Sequence, residues 1–203
     1  MESTFPLLFA VVVGIGHAFE ADHLIAVSSI VTRRNKLMLA VKDGIYWGLG
    51  HTSTIVVIGL LMIVGKYALS ESIFSGFEAV VGLMLIGLGL YRLWKLRDTA
   101  DSSDANPHHH VAYQVGLVHG LAGSGALVLL VMTEIEGSFL SMMYLLLFGL
   151  GSVMGMLLAA GLFSLPIHRE WSKKFPLKSA LGMLSAVFCI GYGSWVFYEN
   201  IMS

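Results

Sequence analysis

The segment His17-Ala18-Phe19-Glu20-Ala21-Asp22-His23 places two imidazoles and two carboxylates within seven residues of an otherwise apolar stretch. These are donors that a borderline divalent transition metal prefers. Neutral nitrogens of His17 and His23 would bind such an ion directly. Asp22 would join them or accept the second ring N–H of a histidine. Glu20 suits a ligand or a proton acceptor. On a regular helix successive residues advance by about 100°, so His17, Glu20 and His23 form one slowly drifting stripe, and Asp22 points away from it. Either Asp22 orients a group across the bundle, or the helix is distorted here. Irregular backbone is tolerated at membrane depth where it lines a cavity. Loading an ion would expel protons, so affinity should fall with acid.

Further histidines extend the set. His51 stands in Leu49-Gly50-His51-Thr52-Ser53-Thr54 among hydroxyls, and His119 stands in Gly116-Leu117-Val118-His119. Each reads as a ligand or orienting group, with a hydrogen-bonded interior histidine as the alternative. His108, His109 and His110 follow Pro107, a short tract suited to transient metal capture or to a plain solvated loop. Glu78 reads as a solvated charge near a helix start, with cation attraction as its alternative.

The elements that must position these groups are membrane helices. Mean hydropathy is +0.79, and 56% of the residues are apolar against 12% charged, far from soluble averages. Six apolar runs, at roughly 4–31, 42–65, 74–96, 111–132, 138–166 and 177–198, are long enough to cross about 30 Å of hydrocarbon. The first is too long and too polar within for a signal peptide. Net charge of −1 argues against a nucleic-acid partner. The lone Cys189 excludes an internal disulfide or a paired-thiol relay. Eleven of the twelve basic residues follow the first, third and fifth runs; Lys66 alone lies opposite, with Glu2, Glu71, Glu134, Glu136 and Glu199. The positive-inside rule then puts both termini outside and the basic connections in the cytoplasm of a cell with this chain in its inner (plasma) membrane.

The two halves repeat one another. Gly14-Ile15-Gly16-His17 aligns with Gly116-Leu117-Val118-His119, Trp47-Gly48-Leu49-Gly50-His51 with Phe148-Gly149-Leu150-Gly151-Ser152, and Ile86-Gly87-Leu88-Gly89 with Ile190-Gly191-Tyr192-Gly193. Each half holds three runs, an odd number, so the second enters the membrane from the opposite side. The expected fold is all-α: six transmembrane helices as two inverted three-helix repeats, over 1–97 and 111–203, joined by a cytoplasmic loop over 98–110. Substrates of such architectures bind near the midplane, where the repeats meet.

These residues carry a resemblance. His17-x4-Asp22-His23 resembles the H-x4-D-H signature of the nickel/cobalt transporter (NiCoT) family, and Leu49-Gly50-His51-Thr52-Ser53 resembles its second motif. Gly116 to Ser124 is similar to the shorter, UreH-type urease accessory permeases of that superfamily. The resemblance implies uptake of Ni²⁺ or Co²⁺ as cargo, no resident cofactor, essential roles for His17, Asp22 and His23, and delivery toward urease or hydrogenase maturation. The chain departs from larger members, which have eight spans and acidic motifs in their second half. The alternatives are a zinc or other metal exporter and, from another class, a membrane-embedded metal enzyme or metal-binding accessory protein with Glu20 as its base. A catalytic motif such as H-E-x-x-H and a soluble lobe are both absent from the sequence.

The charge asymmetry makes an immediate prediction. A reporter enzyme active only outside the cytoplasm should work when fused after Ser203 and fail when fused after Ser103. The reverse pattern would overturn the orientation.

Overall fold

Backbone inside hydrocarbon has no water to bond, so each apolar run closes its hydrogen bonds within a helix. The computed structural model describes residues 4–32, 34, 36–65, 69–97, 109–135, 137–168 and 177–202. Its helices are α1 (Thr4–His17), α2 (Ala21–Val31), α3 (Leu37–Gly65), α4 (Glu71–Arg97), α5 (His109–Glu134), α6 (Ser138–His168) and α7 (Leu177–Met202). No strand occurs among the described residues. His108 and residues 98–107 of the expected loop lie outside them, as do Glu2, Arg33, Lys66, Glu136, Arg169, Lys173 and Lys174.

The first run departs from a single straight span. It is two helices, α1 and α2, bent by 57°. The N–H groups of Phe19 and Glu20 bond back three residues, to the carbonyls of Gly16 (2.9 Å) and His17 (3.0 Å). This tight turn closes α1, and Glu20 then runs extended (φ −66°, ψ 157°) before α2 begins. Of the two alternatives for Asp22, distortion is realised. Helices α3, α4, α6 and α7 are each long and apolar enough to cross a bilayer, and the bent pair α1–α2 is so when its two helices are taken together. Large apolar side chains, among them Leu61, Trp94, Phe139 and Phe188, face outward, where lipid rather than water suits them. The chain is an all-α, multi-pass membrane protein.

Helix α3 lies against both α5 and α6, while α4 pairs with α7 and α1 lies on α6. Backbones touch at these crossings. A Cβ placed on Gly14 would strike the Phe148 carbonyl, and one on Gly116 the Trp47 carbonyl. On Gly151 the obstacle is the carbonyl of Val11, and on Gly50 that of Tyr113. Between α4 and α7 the approach is mutual: a Cβ on Gly82 or Gly193 would stand 2.7 Å from the other's carbonyl oxygen. Such approaches replace the hydrophobic drive that is missing between helices in lipid. Hydroxyls add cross-links, Thr52 Oγ1 donating to the Gly149 carbonyl at 3.0 Å and Thr54 Oγ1 to that of Leu117 at 2.9 Å. The Cys189 thiol donates to the Ile25 carbonyl at 3.6 Å, which suits its packing role. Gly137, with φ of 100°, turns the chain into α6 where a side chain would be strained.

Two apolar clusters result. One gathers Ala18, Val27, Val31, Trp47, Leu85 and Met156, and the other Ala10, Ile55, Met62, Leu145 and Phe148. His51 falls between them, one turn from Trp47 and one from Ile55 on α3.

Close backbone approach predicts a sharp contrast among glycines. Gly14→Ala and Gly116→Ala should each cost about 1–3 kcal/mol by overpacking, lowering the temperature at which detergent-solubilised protein unfolds. Gly87→Ala, whose Cβ would meet nothing within 4 Å, should leave that temperature unchanged.

Candidate metal centre

The break between α1 and α2 re-aims the first motif. His17 ends α1, and Asp22 and His23 sit in the first turn of α2. The negative end of one half-helix and the positive end of the other therefore meet here. Without the break Asp22 would diverge from the histidine stripe; with it, all three side chains converge on His51 of α3 and His119 of α5. Ring centroids of His17 and His23 are 4.6 Å apart, those of His17 and His51 5.1 Å, His23 and His51 5.2 Å, and His23 and His119 4.7 Å. His23, His51 and His119 are each 0% exposed.

Carboxylates hold two of these rings. His17 Nδ1 lies 3.0 Å from Glu20 Oε1, and His23 Nδ1 lies 2.9 Å from Asp22 Oδ1. A carboxylate only accepts, so in each neutral ring Nδ1 carries the proton and Nε2 keeps its lone pair. Asp22 also reaches across the bundle, its Oδ2 lying 3.5 Å from His119 Nε2. The helix is distorted here, and Asp22 also faces His119 across the bundle. Two groupings bring one donor atom from each member within 4.8 Å: His17, His23 and His51, and Asp22, His23 and His119. Three ligands at imidazole bonds of about 2.1 Å stand about 3.4–3.6 Å from one another, so either grouping would close on an ion by drawing its donors together by up to roughly 1.4 Å.

Six ring nitrogens in this cluster are buried without a hydrogen-bond partner: Nε2 of His17, Nε2 of His23, and both nitrogens of His51 and His119. Leaving a buried polar group unpaired costs about 1–3 kcal/mol, and native interiors hold few such groups. An arrangement with this many open lone pairs on neighbouring rings suits a cation that accepts them.

Side chains that sequence reasoning had not marked complete the enclosure. Trp47 stacks on His23 (5.6 Å between centroids, 23° between planes) and lies 5.5 Å from His119, while Phe148 lies 5.4 Å from His17. Trp47 precedes His51 by one turn, and Phe148 is its partner in the repeat alignment; that pairing was the available signal. Ser152, aligned with His51, is buried with its hydroxyl unpartnered.

His109 lies away from this centre. Its Nδ1 is 2.7 Å from Asp43 Oδ1, and its ring stacks on Tyr46 at 5.1 Å. Asp43, 1% exposed, also takes the Arg34 guanidinium through two N–H groups, Nη2 at 2.8 Å and Nε. A buried carboxylate needs such partners, because an isolated charge would cost several kcal/mol (on the order of 3–5). Asp43 and Arg34, unmarked in the sequence reading, thus tie the α2–α3 connection and the start of α5 to α3. His110 sits beside this cluster at the start of α5, and His108 is outside the described residues.

Comparison with known proteins adds kinship to this geometry. The chain is 35% identical over 204 residues to the urease accessory protein UreH of Bacillus sp. (strain TB-90), covering 92% of this chain and 89% of that one. It is 32% identical over 80 residues to the cobalt transport protein NhlF of Rhodococcus rhodochrous, covering 38% of this chain and 22% of that one. No model of a protein family matches the chain, and no solved structure does. Neither relative is named as an enzyme: one is an accessory protein and the other a transporter. Because the first likeness runs through nearly the whole of both chains, this chain belongs to the UreH-type group of the nickel/cobalt transporter superfamily.

Proposed function

We propose that the chain is a permease that takes up Ni²⁺ or Co²⁺ across the inner (plasma) membrane, with the ion as cargo. The observation that carries this is the set of six unpartnered imidazole nitrogens at a broken span. Broken helices whose ends face a buried site are how secondary transporters build a midplane ion site. In this reading His17, His23 and His51 form one resting place for the ion, and Asp22, His23 and His119 the next. Glu20 and Asp22 set the proton positions on His17 and His23, and Asp22 is also a ligand in the second.

The transport cycle in this reading is alternating access between two inverted three-helix halves, 1–97 and 111–203, with six crossings and both termini outside. Reciprocal contacts support it. Gly14 on Phe148 and Gly116 on Trp47 exchange places under the repeat alignment, as do Gly151 on Val11 and Gly50 on Tyr113. Helix α5 supplies the sixth crossing and runs unbroken where α1–α2 breaks. The connection over 98–108 and the start of α5 are cytoplasmic, and His108, His109 and His110 there receive the ion before it passes to urease or hydrogenase maturation proteins. The related protein from Bacillus is named as a urease accessory protein, and that from Rhodococcus as a cobalt transport protein. Three imidazoles also suit Zn²⁺, so competition among Ni²⁺, Co²⁺ and Zn²⁺ ranks the cargo, and vesicles of both orientations give its direction.

Cells carrying His17→Ala, Asp22→Ala, His23→Ala or His51→Ala, matched for protein in the membrane, should accumulate labelled nickel at least about tenfold less than the parent, since changes near a metal site typically cost 10–100-fold. Normal uptake by all four would sink the reading. Because a protonated imidazole cannot ligate, the half-saturating metal concentration should rise as the pH is lowered until the cluster takes up protons. A flat profile in proteoliposomes without a pH gradient would remove the histidines as ligands.

A further inference from the structure

A cavity of about 390 Å³ opens beside the centre, lined by Glu20, Ala21, Asp22, Glu78, Val81, Ala122, Tyr192 and Val196. Four helical elements meet around it: the α1–α2 break, α4, α5 and α7. Three of its four ionisable side chains are carboxylates, the fourth being the Tyr192 phenol. Two of them, Glu20 and Asp22, are the groups that hold His17 and His23. Behind Asp22 stands His119, wholly buried, with neither ring nitrogen hydrogen-bonded and Nε2 only 3.5 Å from the carboxylate. Asp22, which lines the cavity, thus stands next to the open imidazole lone pairs of His119.

Glu78 is the member whose presence nothing else explains. It sits seven residues into α4, about 10 Å along the helix axis from its start. An ionisable side chain at that depth is costly against lipid and belongs beside a cavity or a partner. The cavity is large enough for a hydrated ion, because six waters at about 30 Å³ each fill roughly 180 Å³. At the other end of the bundle the path differs: Arg34, Asp43 and His109 lock the α2–α3 connection, α3 and α5 together.

We propose that this cavity is the outer mouth of the ion path, and that Glu78 draws a hydrated divalent cation into it and passes it to Glu20 and Asp22. The inference rests on the transport reading above and takes its orientation. Glu78 acts at long range on the arriving ion. It is a positioning residue that sets how often the centre is filled, and the later movement of the ion does not depend on it. Acid-lined clefts with low-dielectric walls raise local cation concentration in this way, and salt weakens the effect.

The experiment is initial-rate nickel uptake by cells carrying Glu78→Gln, Glu78→Asp or His23→Ala, at low and high ionic strength, with membrane protein matched by immunoblot. E78Q should raise the half-saturating nickel concentration about 3- to 10-fold at low salt, with little change in maximal rate. That difference should shrink at high salt, and E78D should recover most of the loss. In a C189S chain, E78C should react with a membrane-impermeant thiol reagent added outside, and nickel should slow the reaction. An E78Q chain with the parent's half-saturation at both salt levels, or one that loses only maximal rate, would overturn the proposal. So would an E78C chain that resists the external reagent. Normal uptake by H23A would instead defeat the transport reading itself, so the two failures are distinct.

Discussion

Four imidazoles shut away from water at the crossing of α1, α2, α3 and α5 set the terms for the rest of the bundle. Histidine is tolerable in an apolar interior when its nitrogens are engaged, and here only two Nδ1 atoms are, each by a carboxylate from the same short segment. Everything nearby serves to hold the remaining lone pairs in place without satisfying them. Trp47 and Phe148 close over the rings, Thr52 and Thr54 spend their hydroxyls on backbone carbonyls, and apolar clusters lie on either side. Removing that enclosure would let water saturate the nitrogens, and the proposed centre would lose its reason to prefer an ion.

Holding rings at about 5 Å across four separate helices requires helices that approach with almost no side chain between them. The glycine–carbonyl contacts supply that approach. At Gly14, Gly50, Gly116 and Gly151 even a methyl group has nowhere to go. The cost of bringing backbones together in lipid is low because no water must be displaced, and the van der Waals gain is direct.

Much of this was legible in the chain itself. Hydropathy found the helices, and the motif spacing found His17, Asp22, His23, His51 and His119, because ionisable side chains in apolar runs stand out against their surroundings. The break at Ala18–Glu20 was visible only as a dilemma over Asp22, since a uniform 100° step cannot put it on the histidine stripe. Which way the dilemma resolves depends on backbone bonds back to Gly16 and His17 that leave no composition signal. Arg34 and Asp43 were hidden for a different reason. Arg34 counted only as one more member of a basic cytoplasmic connection, and Asp43 drew no reading at all. Their pairing depends on how the α2–α3 turn folds over α3, a tertiary fact that charge counting averages away. Trp47 was passed over because an aromatic in an apolar helix is ordinary; only its stacking on His23 sets it apart.

His23 belongs to both donor groupings, and with Nδ1 committed to Asp22 it has one nitrogen to offer. On the proposed reading the two resting places therefore exclude each other: a second ion cannot enter while His23 is engaged with the first. Passage, on that reading, becomes a queue of length one, in which His23 turns from one set of co-ligands to the other and the ion is never stripped bare. The throughput of such a device is governed by how quickly the cargo exchanges ligands, so an ion that binds tightly but exchanges sluggishly would act as a plug rather than as cargo.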